Sequence, residues 1–581
     1  MLLQQRLGAA RGLAWLMLAG LVAFYAYVQL GLRRHFQEKA LAQVVKNRAM
    51  PAPRGIIFDR NGAKLVDNRR ALHLVIQRED IPTDPAQVAA VAAALELEPE
   101  ALQRKIAFAK AAPGNRMVIL QDNLDEAAVA RAELLRARFP FLTVDVAPRR
   151  TYLGSELAGH ALGYVGEVSP DRIEAEPGRF QPGEIIGQAG FEAGHNDLLK
   201  GRDGSRRILV NNLGREVALY GMEEPRPGTS VYTTLDAGVQ QVLQDAFQGE
   251  RGAAVILDLR DGGILGLYSA PSLDPNQFLD RKGRAQIGTL WNDPTQPMLN
   301  RVISGRYPPG STFKLFMALA ALDAGKLRPD EVIPCSGAFR YGNATFRCEH
   351  VHGGVSLIPA IAQSCNVFFY NLGARLDIDD IHAAAERYGL TSTTGVDLPH
   401  EKPSRVPNRA YKARMNRRNP ANQKWFPGET ISVAIGQGDV GLTPIGLARF
   451  YALLATKGRL LTPHLLLGTR DDATGKLVPT PPPAARQLEL DPRWLALLEE
   501  GLARVVTEGT ARSSRIQGLD MVGKTGTAQV RAQKDRAAYA KFEKRFKDHA
   551  WFAGYAPREN PQIAFAVIME NAGFGASSAA P

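Results

Sequence analysis

The longest apolar stretch of the chain lies near its start. Between Arg11 and Arg33 the run GLAWLMLAGLVAFYAYVQLGL carries no charge, and as a helix rising about 1.5 Å per residue it covers roughly 30 Å of hydrocarbon. Residues 12–32 are therefore read as a transmembrane helix, with residues 1–11 as a short tail before it. A cleaved secretory leader is the competing reading, but the run is longer than the apolar core of such leaders and no small-residue cleavage pattern closes it. No second run of comparable length follows, so a single-pass anchor carrying one large body is expected. The flanking charges do not orient it, because Arg6 and Arg11 on one side are matched by Arg33, Arg34 and Lys39 on the other.

Beyond the anchor the pattern changes twice. Residues 33–228 mix short strand-like runs, such as Arg54 to Asp59, with helical stretches from Pro85 to Leu97 and Pro99 to Phe108. Glycines stand beside charges in Asp59-Arg60-Asn61-Gly62 and Gly187-Gln-Ala-Gly190-Phe-Glu192, which predicts tight turns held by side-chain hydrogen bonds. His160, within Gly159-His-Ala-Leu-Gly-Tyr-Val-Gly166, is read as a packed ring rather than a catalyst. The whole segment reads as an extended α+β module. A boundary is placed at Gly228, after which strand alternation begins at Ser230 to Asp236 and a helix runs through Gln240 to Phe247.

The apolar runs 253–257 and 264–268, separated by Arg260-Asp-Gly-Gly263, predict an antiparallel hairpin. Three more strands are expected at 521–530, 550–555 and 562–569. The region between is dominated by helical periodicity, including Ser311 to Ala324 and a helix to Val506 that opens with Asp491 as N-cap and Pro492 in its first turn, with Gly509 past its end. First strands, then helices, then last strands predict an α+β domain over residues 229–581 with a five-stranded antiparallel sheet flanked by helices. Pro479 to Pro483 reads as a stiff surface loop.

Lys and Arg outnumber Asp and Glu, 71 to 59, for a formal net charge of +12 spread along the chain. That suits an anionic neighbourhood, such as a membrane surface or an acidic polymer. No zinc-finger, homeodomain or RNA-binding pattern accompanies it, so nucleic acid is not an expected partner. Three cysteines in the whole chain exclude a disulfide-built scaffold.

Candidate chemistry centres on Pro308-Pro-Gly-Ser311-Thr-Phe-Lys314. At the start of a helix, Ser311 and Lys314 share one face. A serine hydroxyl needs something to take its proton, and a lysine with a lowered pKa can do so. The pair alone is a weak signal. It is joined by Ser364-Cys365-Asn366, whose hydroxyl and amide could relay a proton and hold a substrate amide, and by Lys524-Thr525-Gly526-Thr527 in a strand. Alternation puts Lys524 and Gly526 on one face, where Gly526 is expected to keep room for an extended substrate. The N–H groups of Thr527 and Ser311 are candidates for an oxyanion hole.

Three motifs in this order and spacing resemble those of the penicillin-recognising serine transferases. The likeness is nearest to class B penicillin-binding proteins of the rod-elongation type, and Arg54 to Gly62, Thr234-Leu-Asp236, Asp274-Pro-Asn276, Tyr307 to Gly310, Gly436-Gln-Gly438 and Trp551 to Pro557 extend it over nearly the whole chain. The resemblance implies that residues 33–228 are a non-catalytic pedestal of the dimerisation-domain kind and 229–581 a transpeptidase domain. It implies a peptidoglycan D,D-transpeptidase acting in elongation and shape maintenance, with the body in the periplasm, the anchor in the inner membrane and residues 1–11 cytoplasmic. Ser311 would attack a D-Ala-D-Ala donor, Lys314 take its proton, Ser364 pass a proton to the leaving D-alanine, and Asn366 orient the donor amide. Lys524, Thr525 and Thr527 would grip the donor carboxylate. Peptidoglycan precursor or nascent strand, a membrane glycosyltransferase with other elongation proteins, and β-lactam antibiotics are the implied partners, and no cofactor is implied for catalysis. The family's closing helix would follow the Ala579–Pro581 region, so the sequence is expected to stop short of one packing element.

All three cysteines fall in the spacing Cys335-x12-Cys348-x3-His352-x12-Cys365. Thiolates and imidazole are what tetrahedral zinc prefers, so a structural Zn²⁺ held by Cys335, Cys348, His352 and Cys365 is expected, with His350 as competing imidazole. A Cys335–Cys348 disulfide with Cys365 buried and free is the alternative. Among other functions, a β-lactamase or carboxypeptidase shares the motifs but calls for neither pedestal nor anchor. An antibiotic sensor needs more cytoplasmic machinery than residues 1–11 offer, and a scaffold for cell-wall synthases is compatible with catalysis.

Overall fold

The computed structural model describes residues 2–581 apart from 77–80, 83, 96, 112–117, 212–215, 280 and 531–542. A helix spans Leu2–Ala26 and passes through a wider turn, Tyr27–Gly31, into a second helix, Arg33–Val44. The stretch Arg6–Gly31 is long and apolar enough to cross a membrane, and none of its apolar window is buried within the protein.

The chain leaves the helices as strand Val45–Met50, which pairs antiparallel with Gly204–Val210, itself paired with Glu216–Glu223. A larger, seven-stranded sheet is built around the long strand Lys64–Ile76, which pairs with Ile57–Phe58, Val118–Gln121 and Leu142–Tyr152. Helices Pro85–Ala94, Pro99–Ala111 and Glu126–Arg138 cover its far end. Asp84 and Asp125 cap the first and third through side-chain bonds to Ala86 N and Ala128 N. This lobe has its own core around Leu74, Val91, Ala92 and Leu142.

The same sheet runs across residue 228. Strand Val231–Thr233 pairs in parallel with Ile57–Phe58, and on its other side antiparallel with Leu466–Arg470, which carries Leu477–Pro479 beyond it. Gly55 and Gly228 allow this close approach: a Cβ on Gly55 would lie 1.8 Å from Thr229 O.

The second domain holds a five-stranded antiparallel sheet in the order Ile264–Ala270, Gly252–Asp258, Ile563–Met569, His549–Ala556, Val522–Ala528. The hairpin and the three late strands stand where the alternation placed them. Helix Ala237–Phe247, capped by Asp236, packs on one face. The other face is covered by Pro444–Ala455, every residue of which is buried, and by Pro492–Thr507, against which Lys314–Asp323 packs. One continuous core joins these helices to Ile57, Val66 and Phe191 of the first module. The base of the first module is thus packed into the second domain, while its distal lobe stands apart on a smaller core.

Candidate active site

Gly310–Phe313 forms a 3₁₀ turn that leads into the helix Lys314–Asp323. Ser311 stands half-buried on the rim, and Lys314 one turn on is fully buried. Gly310 has φ +55°, and a Cβ there would lie 2.5 Å from Thr527 O, so glycine lets the chain before Ser311 press against the Val522–Ala528 strand.

Lys314 brings two of the motifs together. Its Nζ donates to Ser364 O at 2.7 Å, Ser364 Oγ at 3.1 Å and Asn366 Oδ1 at 2.7 Å. Ser364 lies between helices Leu357–Ala362 and Asn366–Arg375 in the left-handed region, φ +58°, a conformation that costs a serine energy and marks a position held by its surroundings. Burial lowers the Lys314 pKa to about 8, against the opposing pull of Cys348, Cys365 and Glu349. Ammonium and amine are therefore both accessible near neutral pH.

The third motif comes in from the sheet's edge. Lys524 is fully buried, and burial together with the charge of Lys314 pushes its pKa well below the ordinary range. Its Nζ donates to Thr525 O at 3.1 Å, and among the described residues neither lysine is in an ion pair. The strand pairs on one side only, with His549–Ala556. Gln437 Nε2 donates to Thr527 O at 3.1 Å, so the Thr527 backbone polar groups face the open edge. A Cβ on Gly310 would lie 3.1 Å from Thr527 N, which sets that N–H beside the residue preceding Ser311.

Two sequence expectations are corrected here. Gly526 does not hold a face open for substrate: a Cβ on it would lie 2.7 Å from Pro309 O and 2.9 Å from Thr312 Cγ2. Its bareness lets the Ser311 turn seat on the strand. The Thr525 hydroxyl does not reach towards a substrate carboxylate either, because alternation turns it away from Lys524 and it bonds Thr510 Oγ1 at 2.6 Å. Thr527 Oγ1 accepts Gly575 N–H at 3.4 Å.

Thr510 itself was missed. Gly509 was legible as a helix stop, but nothing in the pattern showed what the next residue would touch. Thr510 N donates to Ala362 O at 3.3 Å, and a Cβ on Gly509 would lie 2.3 Å from that same oxygen. This loop fastens the helix before Ser364 to the strand that carries Lys524.

Residues 252–581 match the model of the penicillin-binding protein transpeptidase domain, and residues 49–233 that of the penicillin-binding protein dimerisation domain. The chain belongs to the penicillin-binding protein transpeptidase family. It is 32% identical to the peptidoglycan D,D-transpeptidase MrdA of Acinetobacter baumannii, over 99% of this chain and 86% of that one. The structure of penicillin-binding protein PBP2 in complex with MreC from Helicobacter pylori is similar at a TM-score of 0.72 and 26% identity, covering 91% of this chain and 95% of that one. A chain from a peptidoglycan synthase complex that coordinates polymerization and crosslinking is similar at a TM-score of 0.69 and 30% identity, with 99% and 96% covered.

Cys335, Cys348, His352 and Cys365 converge directly behind the second motif, their ligand atoms all within 4.8 Å of one another. His352 Nδ1 is 3.4 Å from Cys335 Sγ and 3.6 Å from Cys348 Sγ, and Cys348 and Cys365 are 4.0 Å apart at sulfur. All three thiols are free, so the Cys335–Cys348 disulfide is not formed. His350 stays outside, offering Cys335 Sγ its backbone oxygen at 3.6 Å. Zinc–sulfur bonds of about 2.3 Å at tetrahedral angles separate two sulfurs by about 3.8 Å, so the donor set and its spacing fit that ion. The Asn366 N–H donates to Cys348 Sγ at 3.2 Å, which ties the cluster to the loop that holds Lys314.

Proposed function

We propose that this protein is a peptidoglycan D,D-transpeptidase of cell elongation that works through a serine acyl-enzyme and is inhibited by β-lactams. The observation that carries the reading is Lys314, buried, with its pKa lowered to about 8 and bonded to both Ser364 and Asn366. Neutral Lys314 takes the Ser311 proton as Oγ attacks the penultimate D-alanine carbonyl. The Ser311 and Thr527 N–H groups receive the developing oxyanion. The proton passes from Lys314 through Ser364 to the departing D-alanine nitrogen, leaving an ester on Ser311. Lys524 meets the donor's terminal carboxylate, whose negative charge opposes the burial that lowers the Lys524 pKa and so favours its ammonium form, and Asn366 holds both Lys314 and the donor amide. An amine of a second stem peptide then displaces Ser311, forming the cross-link.

The division of labour follows: residues 33–228 serve as pedestal and 229–581 as transpeptidase domain, with strand Val231–Thr233 stitching them together. Residues 12–32 anchor the protein in the inner membrane, with 1–11 cytoplasmic and the body in the periplasm, where the substrate lies. Likeness to proteins solved with MreC and within a synthase complex supports a membrane glycosyltransferase and other elongation proteins as partners. Cys335, Cys348, His352 and Cys365 would hold a structural Zn²⁺, whose part is to cross-brace the segment 335–365 against the Ser364 loop, four protein ligands leaving no open position.

Intact-protein mass spectrometry with a penicillin tests the reaction. One stable adduct, lost in Ser311→Ala, is expected; a folded wild-type protein that forms none would sink the reading. Native spectra should show one zinc per chain. Cys365→Ser should then lower melting temperature and acylation rate together, and no change in either would count against the metal.

A further inference from the structure

A cavity of about 720 Å³ opens between the pedestal and the transpeptidase domain, within the size range of sites that take sizeable ligands. Tyr307, four residues ahead of the nucleophile, lines it, but Ser311, Lys314, Ser364, Asn366 and Lys524 do not. On the pedestal side the wall is rich in glycine and also carries His160, Tyr164 and Gln188. A Cβ on Gly163 would lie 1.8 Å from Ala189 O, and one on Gly190 would lie 2.4 Å from Gly163 N. His160, buried in this wall, bonds Pro297 O at 2.8 Å, and burial lowers its pKa to about 4, so it brings no charge.

The opposite wall is charged and rigid. Its Lys402 N–H donates to Ile303 O at 3.0 Å, and Ser304 Oγ donates to His400 O at 2.8 Å, which fixes the His400–Lys402 loop beside Arg306. Among the described residues Glu570 is the one carboxylate in the lining, and it is already engaged, with Arg301 at 2.8 Å, Arg251 at 3.5 Å and the Tyr307 hydroxyl at 2.6 Å. Arg306, Lys402 and the His400 ring have no ion pair and no side-chain hydrogen bond among the described residues, and all three are exposed. The cavity therefore carries uncompensated positive charge. It also presents Trp291, whose indole is 64% exposed, at a position where an aromatic face in water gains by being covered.

We propose that this cavity is a second binding site, for a carboxylate-bearing amino-sugar segment of a peptidoglycan strand, with Trp291 under a sugar ring and Arg306 and Lys402 on its carboxylates. Cations demand an anion, the indole favours the apolar face of a pyranose over a bare inorganic ion, and the volume admits a saccharide with part of its peptide. For the identity of the polymer this rests on the peptidoglycan reading above. The site would hold a strand away from Ser311, so that the domain stays on its polymer between acyl transfers. Occupancy would also load the wall that contains Tyr307, and through it the segment leading to the nucleophile.

The test uses the full chain in detergent, acylated with penicillin so that the reaction cleft is closed, and in parallel as Ser311→Ala. Each is titrated by calorimetry with a purified disaccharide-tetrapeptide. Saturable binding is expected in both. Arg306→Ala/Lys402→Ala, Trp291→Ala, and amidation of the ligand's carboxylates should each weaken it about tenfold or more, at an unchanged melting temperature. No saturable binding to the folded protein, equal affinity in the double variant, or tighter binding of an acidic peptide without sugar would each overturn the proposal. Because the Ser311→Ala arm needs no acylation, a failure of the transpeptidase reading would show as a missing adduct and leave this measurement legible.

Discussion

In the pedestal, Arg54 and Arg150 close on a single buried carboxylate, Glu192, at 2.7 and 2.6 Å, whereas in the catalytic cleft Lys314 and Lys524 are buried and neither is in an ion pair among the described residues. Burial alone would raise the Glu192 pKa, but Arg150 and Arg54 outweigh it and hold the carboxyl lowered. Asn196 Oδ1 and Gly55 O accept from the same two guanidiniums, so the charge of that cluster is met within the protein, although one Arg150 nitrogen stays buried without a partner among the described residues. The lysines are left incomplete. Desolvation outweighs the pull of Cys348, Cys365 and Glu349 at Lys314 and is reinforced by the Lys314 charge at Lys524, so both amines are pushed towards neutrality, as the proposed base and the proposed carboxylate partner require. The same physics gives structure where the partner is built in and chemistry where it is left to the substrate.

The comparison breaks most visibly at Lys314. Replacing it with Met should slow acylation by a β-lactam by about 10³-fold, the span ascribed to a positioned general base. In the wild type the amine must be neutral to act, so acylation should climb as pH rises through about 8 and level off above it. A flat profile through that range would show that Lys314 is not the base.

The opposite result is expected in the pedestal. Glu192→Gln leaves two guanidiniums buried without a counter-ion, at a cost of about 3–5 kcal/mol, measured as a fall in unfolding midpoint, while acylation per folded molecule stays at the wild-type rate. Wild-type stability from this cluster should hold at neutral pH and be lost as pH falls through the carboxylate range, because Glu192 binds its proton more weakly folded than unfolded. Unchanged stability in the variant would erase the distinction between the two regions.

Thr510→Val gives the smallest effect and sharpens the boundary between them. Loss of the Thr510–Thr525 bond costs about 1 kcal/mol, and acylation should slow several-fold because the Lys524 strand is held less firmly against the Ser364 loop. Thr510→Ser should restore the rate. A variant that loses stability but acylates normally would make Thr510 purely structural.

Much of this was legible in the residues themselves. The uncharged run after Arg11, the Asp491-Pro492 helix start, the strand alternation of 253–268 and 562–569, and the three motifs around Ser311, Ser364 and Lys524 are local patterns, and local patterns follow from side-chain spacing. The cysteine spacing likewise pointed to four residues that do converge.

What covers each face was not legible. Alternation assigned Gly526 to one face and Thr525 to the other, but only the packed chain shows that Pro309 and Thr312 fill the first and Thr510 meets the second. Strand Val231–Thr233 could be read as a strand, yet not as one that pairs with Ile57–Phe58 far earlier in the chain. The sequence by itself determined which segments are helix, strand and anchor and which residues carry reactive groups. Tertiary structure alone decided that Lys314 lies buried against Ser364 and Asn366, because desolvation and hydrogen-bond partners belong to contacts across fifty residues and more, which no local spacing encodes.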